Sequence, residues 1–251
     1  MAKTLTGKTA LVTGGSRGIG AGIARELARE GASVVITYQK SRERAEDVVA
    51  DLAAFGMKAS AVQADQSVPH EASTAVEQAA DFLGGRIDVL VNSAGVAAMG
   101  TVDQLDLDLL GAVQHMMATN VMGTVVTTHS ATRYLPDGGR VILVGSNVAE
   151  RVATPGVAEY AASKAAIDQL ARGWARDFGP RGITVNVVRP GAVDTDMNPA
   201  DGPFAAAQVA GTPLGRFGTT EDIAKAVVFL GSENAAFITG ALLTVDGGFS
   251  I

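Results

Sequence analysis

The 251-residue chain contains no cysteine, which excludes disulfides, a thiol nucleophile and any cysteine-ligated metal. Its three histidines, His70, His115 and His129, are scattered without metal-ligand spacing to acidic neighbours, so no metal site is expected. No run reaches the roughly eighteen uninterrupted apolar residues of a membrane span. Residues 1–8 lead into a strand-like run without a signal-peptide core. Basic clusters are missing as well: at a formal net charge of −6, nucleic acid is not the expected partner. A cytoplasmic protein is the simplest expectation.

What is present is the composition of a folded domain, with 47% hydrophobic and 18% charged residues. Short β-branched runs alternate with helical patterns. Strands are predicted at 9–13, 33–38, 58–63, 88–92, 140–145, 183–188 and 241–245. Helices are predicted at 18–30, 42–55, 69–82, about 106–134, 159–178 and 221–230. Such regular alternation implies a mainly parallel, doubly wound sheet of seven strands with helices on both faces. No linker divides it, so residues 1–251 read as one domain, its cofactor half about 1–150. The stretch 191–220 is rich in Pro, Gly and Ala and reads as a long irregular lid.

Between the first strand and first helix lies Thr13-Gly14-Gly15-Ser16-Arg17-Gly18-Ile19-Gly20. Glycines there permit a tight turn and close approach of a pyrophosphate to a helix N-terminus. Placed at this point of a Rossmann-type pattern, the loop predicts a dinucleotide site lined by Gly14, Ser16, Arg17, Gly18, Ile19 and Gly20. The second strand ends in Tyr38-Gln39-Lys40-Ser41, without the acidic residue that would bind a ribose 2′-hydroxyl and select NAD. Arg17, Lys40 and Ser41 suit a 2′-phosphate instead, so NADPH/NADP+ is expected over NADH/NAD+. Asp65 and Gln66 after the third strand, and Asn92, Ala94 and Gly95 after the fourth, fall at the same carboxyl ends.

Tyr160 and Lys164 are four residues apart in a helical run, and Ser146 stands fourteen residues before the tyrosine. One helical turn apart, the ammonium is expected to lower the phenol pKa and make it usable as an acid near neutral pH. Ser146 lacks a G-x-S-x-G elbow and so does not read as a nucleophile.

These residues, with Asn120 and Pro190-Gly191, resemble the short-chain dehydrogenase/reductase family over essentially the whole chain. The ending Gly240-Ala241-Leu242-Leu243-Thr244-Val245-Asp246-Gly247-Gly248 is similar to the branch of 3-oxoacyl-carrier-protein reductases and related carbonyl reductases. The gap from Ser146 to Tyr160 is one residue longer than is commonest there, a difference that falls in the substrate-side loop. The resemblance implies reversible hydride transfer between NADPH and a ketone or aldehyde. Tyr160 would donate the proton, Ser146 polarise the carbonyl, Lys164 also bond the nicotinamide ribose, and Asn120 hold water in a relay to Lys164. Pro190, Gly191, Val193 and Thr195 would close the nicotinamide pocket. A homotetramer is implied, built through the Tyr160 helix and the preceding one. The alternatives are an NAD-linked alcohol or polyol dehydrogenase, a 3-oxoacyl-carrier-protein reductase, or a cofactor-sensing regulatory protein. Substrate choice is expected to lie in loop 147–158 (Val152, Thr154, Pro155) and in the lid (Met197, Pro199, Phe204, Val209). An acyl-carrier protein would want a basic patch, for which Arg133, Arg151, Arg172 and Arg216 are candidates.

Overall fold

Side chains alternate across a strand, and here both sets are apolar, so every central strand must be covered twice. The computed structural model describes residues 3–104 and 106–251, leaving residues 1–2 of the N-terminal stretch and Leu105 outside. Its strands are β1 (Thr9–Val12), β2 (Ser33–Tyr38), β3 (Ala59–Gln63), β4 (Val89–Asn92), β5 (Arg140–Val144), β6 (Thr184–Pro190) and β7 (Leu242–Val245). They form one sheet in the order β3-β2-β1-β4-β5-β6-β7, and every pairing is parallel.

The helices are α1 (Gly18–Arg29), α2 (Arg42–Ala54), α3 (Pro69–Phe82), α4 (Leu107–Met117), α5 (Thr124–Ala131), α6 (Ala158–Phe178), α7 (Ala205–Ala210) and α8 (Thr220–Gly231). Ala10, Val12, Val34, Ile36, Val89, Val91 and Ile142 pack with Ile23, Leu27, Leu52, Ile223 and Val227 of α1, α2 and α8. The residues between them, Leu11, Val35, Leu90, Val141 and Leu143, pack with Val76, Ala131, Ile167 and Phe178 of α3, α5 and α6. Each fully buried Val, Leu or Ile contributes about 1.5–3 kcal/mol. From β3 at the sheet edge the chain returns to place β4 beside β1. That reversal opens a crevice at the carboxyl ends of β1 and β4, where ligands of such sheets bind.

Two expected elements differ. The single helix over 106–134 is broken: α4 passes through a π-helical stretch, Ala118–Gly123, before α5. The cause lies in Asn120, whose side chain both accepts from and donates to the backbone of Val96, at 2.9 Å each way. Gly123 at the end of the same stretch lies flat against the Gln66 carbonyl, where a Cβ would overlap it. Such bulges commonly mark functional positions. The lid over 191–220 is not irregular throughout, because Ala205-Ala206-Ala207 opens α7 with the best helix former. No described helix is long and apolar enough to cross a membrane. Among the described residues, no group of three or more His, Cys, Asp or Glu is placed to hold a metal ion.

Candidate active site

The loop after β1 is pinned by hydrogen bonds at its start, with Gly14 and Gly18 half-buried and Gly15 and Gly20 buried. The buried Thr13 hydroxyl accepts from the backbone of Ser93 and Ala94 at 3.0 Å, and Gly14 N–H donates to the Thr37 hydroxyl at 3.1 Å. Gly14 has φ +65°, and a Cβ there would stand 2.8 Å from the Ala94 Cα. At Gly20 a Cβ would overlap the Gly14 carbonyl oxygen. Arg17 precedes α1 in extended backbone and caps none of its N–H groups, so the helix N-terminus is open to an anion. This cradle fits the pyrophosphate of a dinucleotide. Ser16 lies in the loop, and Ile19, in the first turn of α1, packs on the core below.

Two guanidinium groups converge at the outer rim of the cradle. Arg17 pairs with Asp196 of the lid at 3.6 Å, and Arg44 of α2 pairs with the same carboxylate oxygen. Arg44 has no counterpart in the sequence reading, since only the fold brings it beside Arg17. Lys40 is exposed and forms no ion pair among the described residues, and Ser41 immediately precedes α2 without capping it. Tyr38 shares its face of β2 with Val34 and Ile36, and its side chain is in the core rather than on the rim. The Gln66 side chain is likewise turned inward, donating to Thr127 at 2.7 Å. Those two side chains therefore depart from the expected cofactor contacts. The Asp65 carboxylate accepts from Ser67 and Gln39. Asn92 donates to Thr128 at 3.1 Å, while its buried Oδ1 has no partner among the described residues.

The lid lies over the cradle. The Thr195 methyl stands 3.4 Å from the position of a Gly18 Cβ, buried Val193 pairs with Gly218, and Gly191 sits hard against Asp246. Gly191 directly follows Pro190, the last residue of β6.

Across the crevice, β5 delivers Ser146 and α6 delivers Tyr160 and Lys164. Lys164 is buried and donates to the Val144 carbonyl at 2.9 Å. Burial pushes its ammonium down to about 8, opposed by the negative charge of Asp168. Burial pushes the Tyr160 phenol up, opposed by a hydrogen bond with Ser146. The expected lowering of the phenol by Lys164 is thus overturned in this structure. The lysine is bound to a backbone carbonyl, 5.9 Å from the ring centre, and desolvation acts on both groups. Asn120 donates to Ser163 at 3.1 Å, and Ser163 donates to the Tyr160 carbonyl at 2.7 Å. A Cβ on Gly95 would lie 3.4 Å from Asn120 Oδ1 and 3.5 Å from Lys164 Nζ. Asn120 and Lys164 therefore flank Gly95, which is next to the Ala94 that touches the cradle. The catalytic candidates and the glycine loop face one space.

Of the four candidate arginines, Arg133 pairs with Glu77 and Arg216 with Asp222. Arg151 donates to the carbonyls of Phe249 and Ile251.

Comparison with known proteins finds the same architecture. A family model described as enoyl-(acyl carrier protein) reductase matches residues 14–250. A short-chain dehydrogenase from Burkholderia cenocepacia, solved in complex with NADP, superposes with a TM-score of 0.95 at 47% identity, covering 99% of this chain and 100% of that one. A cyclic-di-GMP-binding biofilm dispersal mediator protein of Escherichia coli is 39% identical over 97% of this chain and 98% of its own. A versicolorin reductase of Emericella nidulans is 39% identical over 97% and 96%.

Proposed function

The chain belongs to the short-chain dehydrogenase/reductase family, and we propose that it reversibly reduces a ketone or aldehyde to an alcohol with NADPH. The observation that carries this reading is the meeting of Ser146, Tyr160 and buried Lys164 beside the glycine cradle. A bound nicotinamide supplies the hydride. Tyr160, its phenol held protonated by burial, gives its proton to the substrate oxygen. Ser146 donates a hydrogen bond to that same oxygen and polarises the carbonyl. Lys164, at about 8, keeps a proton near neutral pH with which to restore the phenol. Asn120 fixes the Val96 backbone and α6 on either side of Lys164.

For NADPH the support is the Arg17–Arg44 pair, the lack of a carboxylate at the end of β2, and the NADP held by the Burkholderia relative. An NAD-linked alcohol or polyol dehydrogenase fits that rim less well. A carrier-protein substrate is disfavoured because three of the four candidate arginines are engaged elsewhere. We place the protein in the cytoplasm as a homotetramer. Leu107, Leu110 and Met117 on α4, with Met122, leave an exposed apolar face for self-association, and a light-scattering mass of one subunit would contradict it.

The name of the E. coli relative favours a second reading, a nucleotide-sensing regulator on the same fold. Tyr160→Phe separates the two. On a panel of ketones, β-ketoesters and sugars followed by NADPH oxidation, it should lose about 10²–10⁴-fold in rate and retain NADPH affinity. Full reductase activity in that variant would sink the proposed mechanism, and a wild type inactive on the whole panel would favour the regulator.

A further inference from the structure

One turn beyond Lys164 on the same face of α6 is Asp168, a carboxylate that is 3% exposed. It accepts two hydrogen bonds from Arg189 of β6, at 3.2 Å to Nε and 2.6 Å to Nη2. The third arm of that guanidinium, Nη1, donates to Glu150 of the substrate-side loop at 2.7 Å. The Arg189 stem is packed close to Gly145, its Cγ 3.3 Å from the position of a Gly145 Cβ, immediately before Ser146. One arginine therefore touches the segments that carry Ser146, Lys164, Pro190-Gly191 and the substrate loop. Stability does not explain it, because a buried ion pair adds little over well-packed apolar residues of the same volume. The proposed proton transfer uses none of the three charges.

We propose that Arg189 is a positioning residue that ties the substrate loop, through Glu150, to Asp168, the carboxylate one helical turn from Lys164. With the loop docked, Glu150 offsets the positive charge of Arg189, and the field of Asp168 at Lys164 is felt more fully. Loop docking and lysine protonation then favour one another, as linkage requires. The groups facing Lys164 are few. On α6 they are Tyr160 and Asp168, on β5 the Val144 carbonyl, on the π-helical stretch uncharged Asn120, and behind Asp168 the Arg189 guanidinium. Asp168 is the one negative charge among them. The inference rests on the reductase reading only for what the lysine's proton is used to do.

Both consequences can be read in the protein without substrate. The ¹³Cε shift of Lys164, assigned with Lys164→Met, should titrate near 8 in the wild type. Asp168→Asn should move that midpoint down by about one pH unit. Glu150→Gln should move it less in the same direction, and should speed amide exchange across 147–158 about two- to fivefold. Since Asp168→Asn strands a buried arginine, the double variant Asp168→Leu with Arg189→Met guards against misfolding. It should keep the melting temperature, lower the Lys164 midpoint and free the loop. The proposal is overturned if Lys164 still titrates near 8 in the aspartate variants, or if loop exchange is unchanged in Glu150→Gln. Tyr160→Phe should leave both readouts in place, so loss of the reductase reading and loss of this one are separate results.

Discussion

The two walls of the crevice solve opposite problems. The catalytic wall of α6, β5 and β6 buries its charges, so Lys164, Asp168 and Arg189 must be paired or shifted in pKa to exist there. The nucleotide rim leaves Arg17, Arg44 and Asp196 more than half exposed, where water screens each pair and keeps each charge at little cost. Burial gives the first wall fixed geometry and tuned protonation. Exposure gives the second a site that can exchange one anion for another. On the first wall a single substitution should change both chemistry and stability; on the second it should change affinity, and mainly at low salt.

The largest effect is expected from Lys164→Met. Losing the lysine should lower the reductase rate by about 10²–10⁴-fold. The same change should stabilise the fold at pH 7 by about 1–3 kcal/mol, because a charged group no longer has to be buried. The sign follows from the shift. The unfolded lysine holds its proton to about 10.5, whereas the folded one releases it near 8. The destabilisation is therefore full below pH 8 and fades as pH rises towards 10.5. Urea titrations at pH 7 and pH 10 should show the variant's advantage shrinking. An equal advantage at both would mean that burial does not act on Lys164 as described.

Next in size is the rim. Replacing Arg17 and Arg44 together by Ala should weaken NADPH binding by about 10–100-fold, as expected for two lost charge-assisted bonds to a phosphate. NADH binding should stay within about twofold, since NADH presents no such phosphate to the pair. Fluorescence titration with each cofactor measures both. Parallel losses for NADPH and NADH would place the two arginines elsewhere on the dinucleotide and remove the argument for NADPH.

The sequence made some of this legible and hid the rest for physical reasons. Tyr160 and Lys164 were readable because a helix converts a four-residue spacing into adjacency. The glycine loop was readable because only its position between β1 and α1 had to be recognised. Asp168 obeys the same four-residue rule after Lys164, so it was within reach, although its partner Arg189 was not. Period two along β2 would also have warned that Tyr38 follows Val34 and Ile36 into the core. Nothing local announces that Asn120 sits in a π-helical stretch, because the groups responsible, Val96 and Ser163, belong to other segments. Arg44 and Asp196 are joined only by the fold, across 152 residues.

The smallest expected effect tests the rim most directly. Asp196 lies where two guanidinium groups already converge, and it therefore competes with any phosphate drawn to the same pair. Asp196→Asn keeps the side-chain shape and removes the charge. NADPH should then bind about two- to fivefold more tightly at low ionic strength, in keeping with the modest strength of exposed ion pairs. The gain should vanish towards 1 M salt, where the screening length falls to about 3 Å. NADH affinity should not change, and Asp196→Asn added to the double arginine variant should do nothing further. If the aspartate instead helps to hold the lid over bound cofactor, Asp196→Asn will weaken NADPH and NADH alike at every salt concentration. That outcome would turn the rim from an exchangeable anion site into a clasp, and would make the two walls more alike than their burial implies.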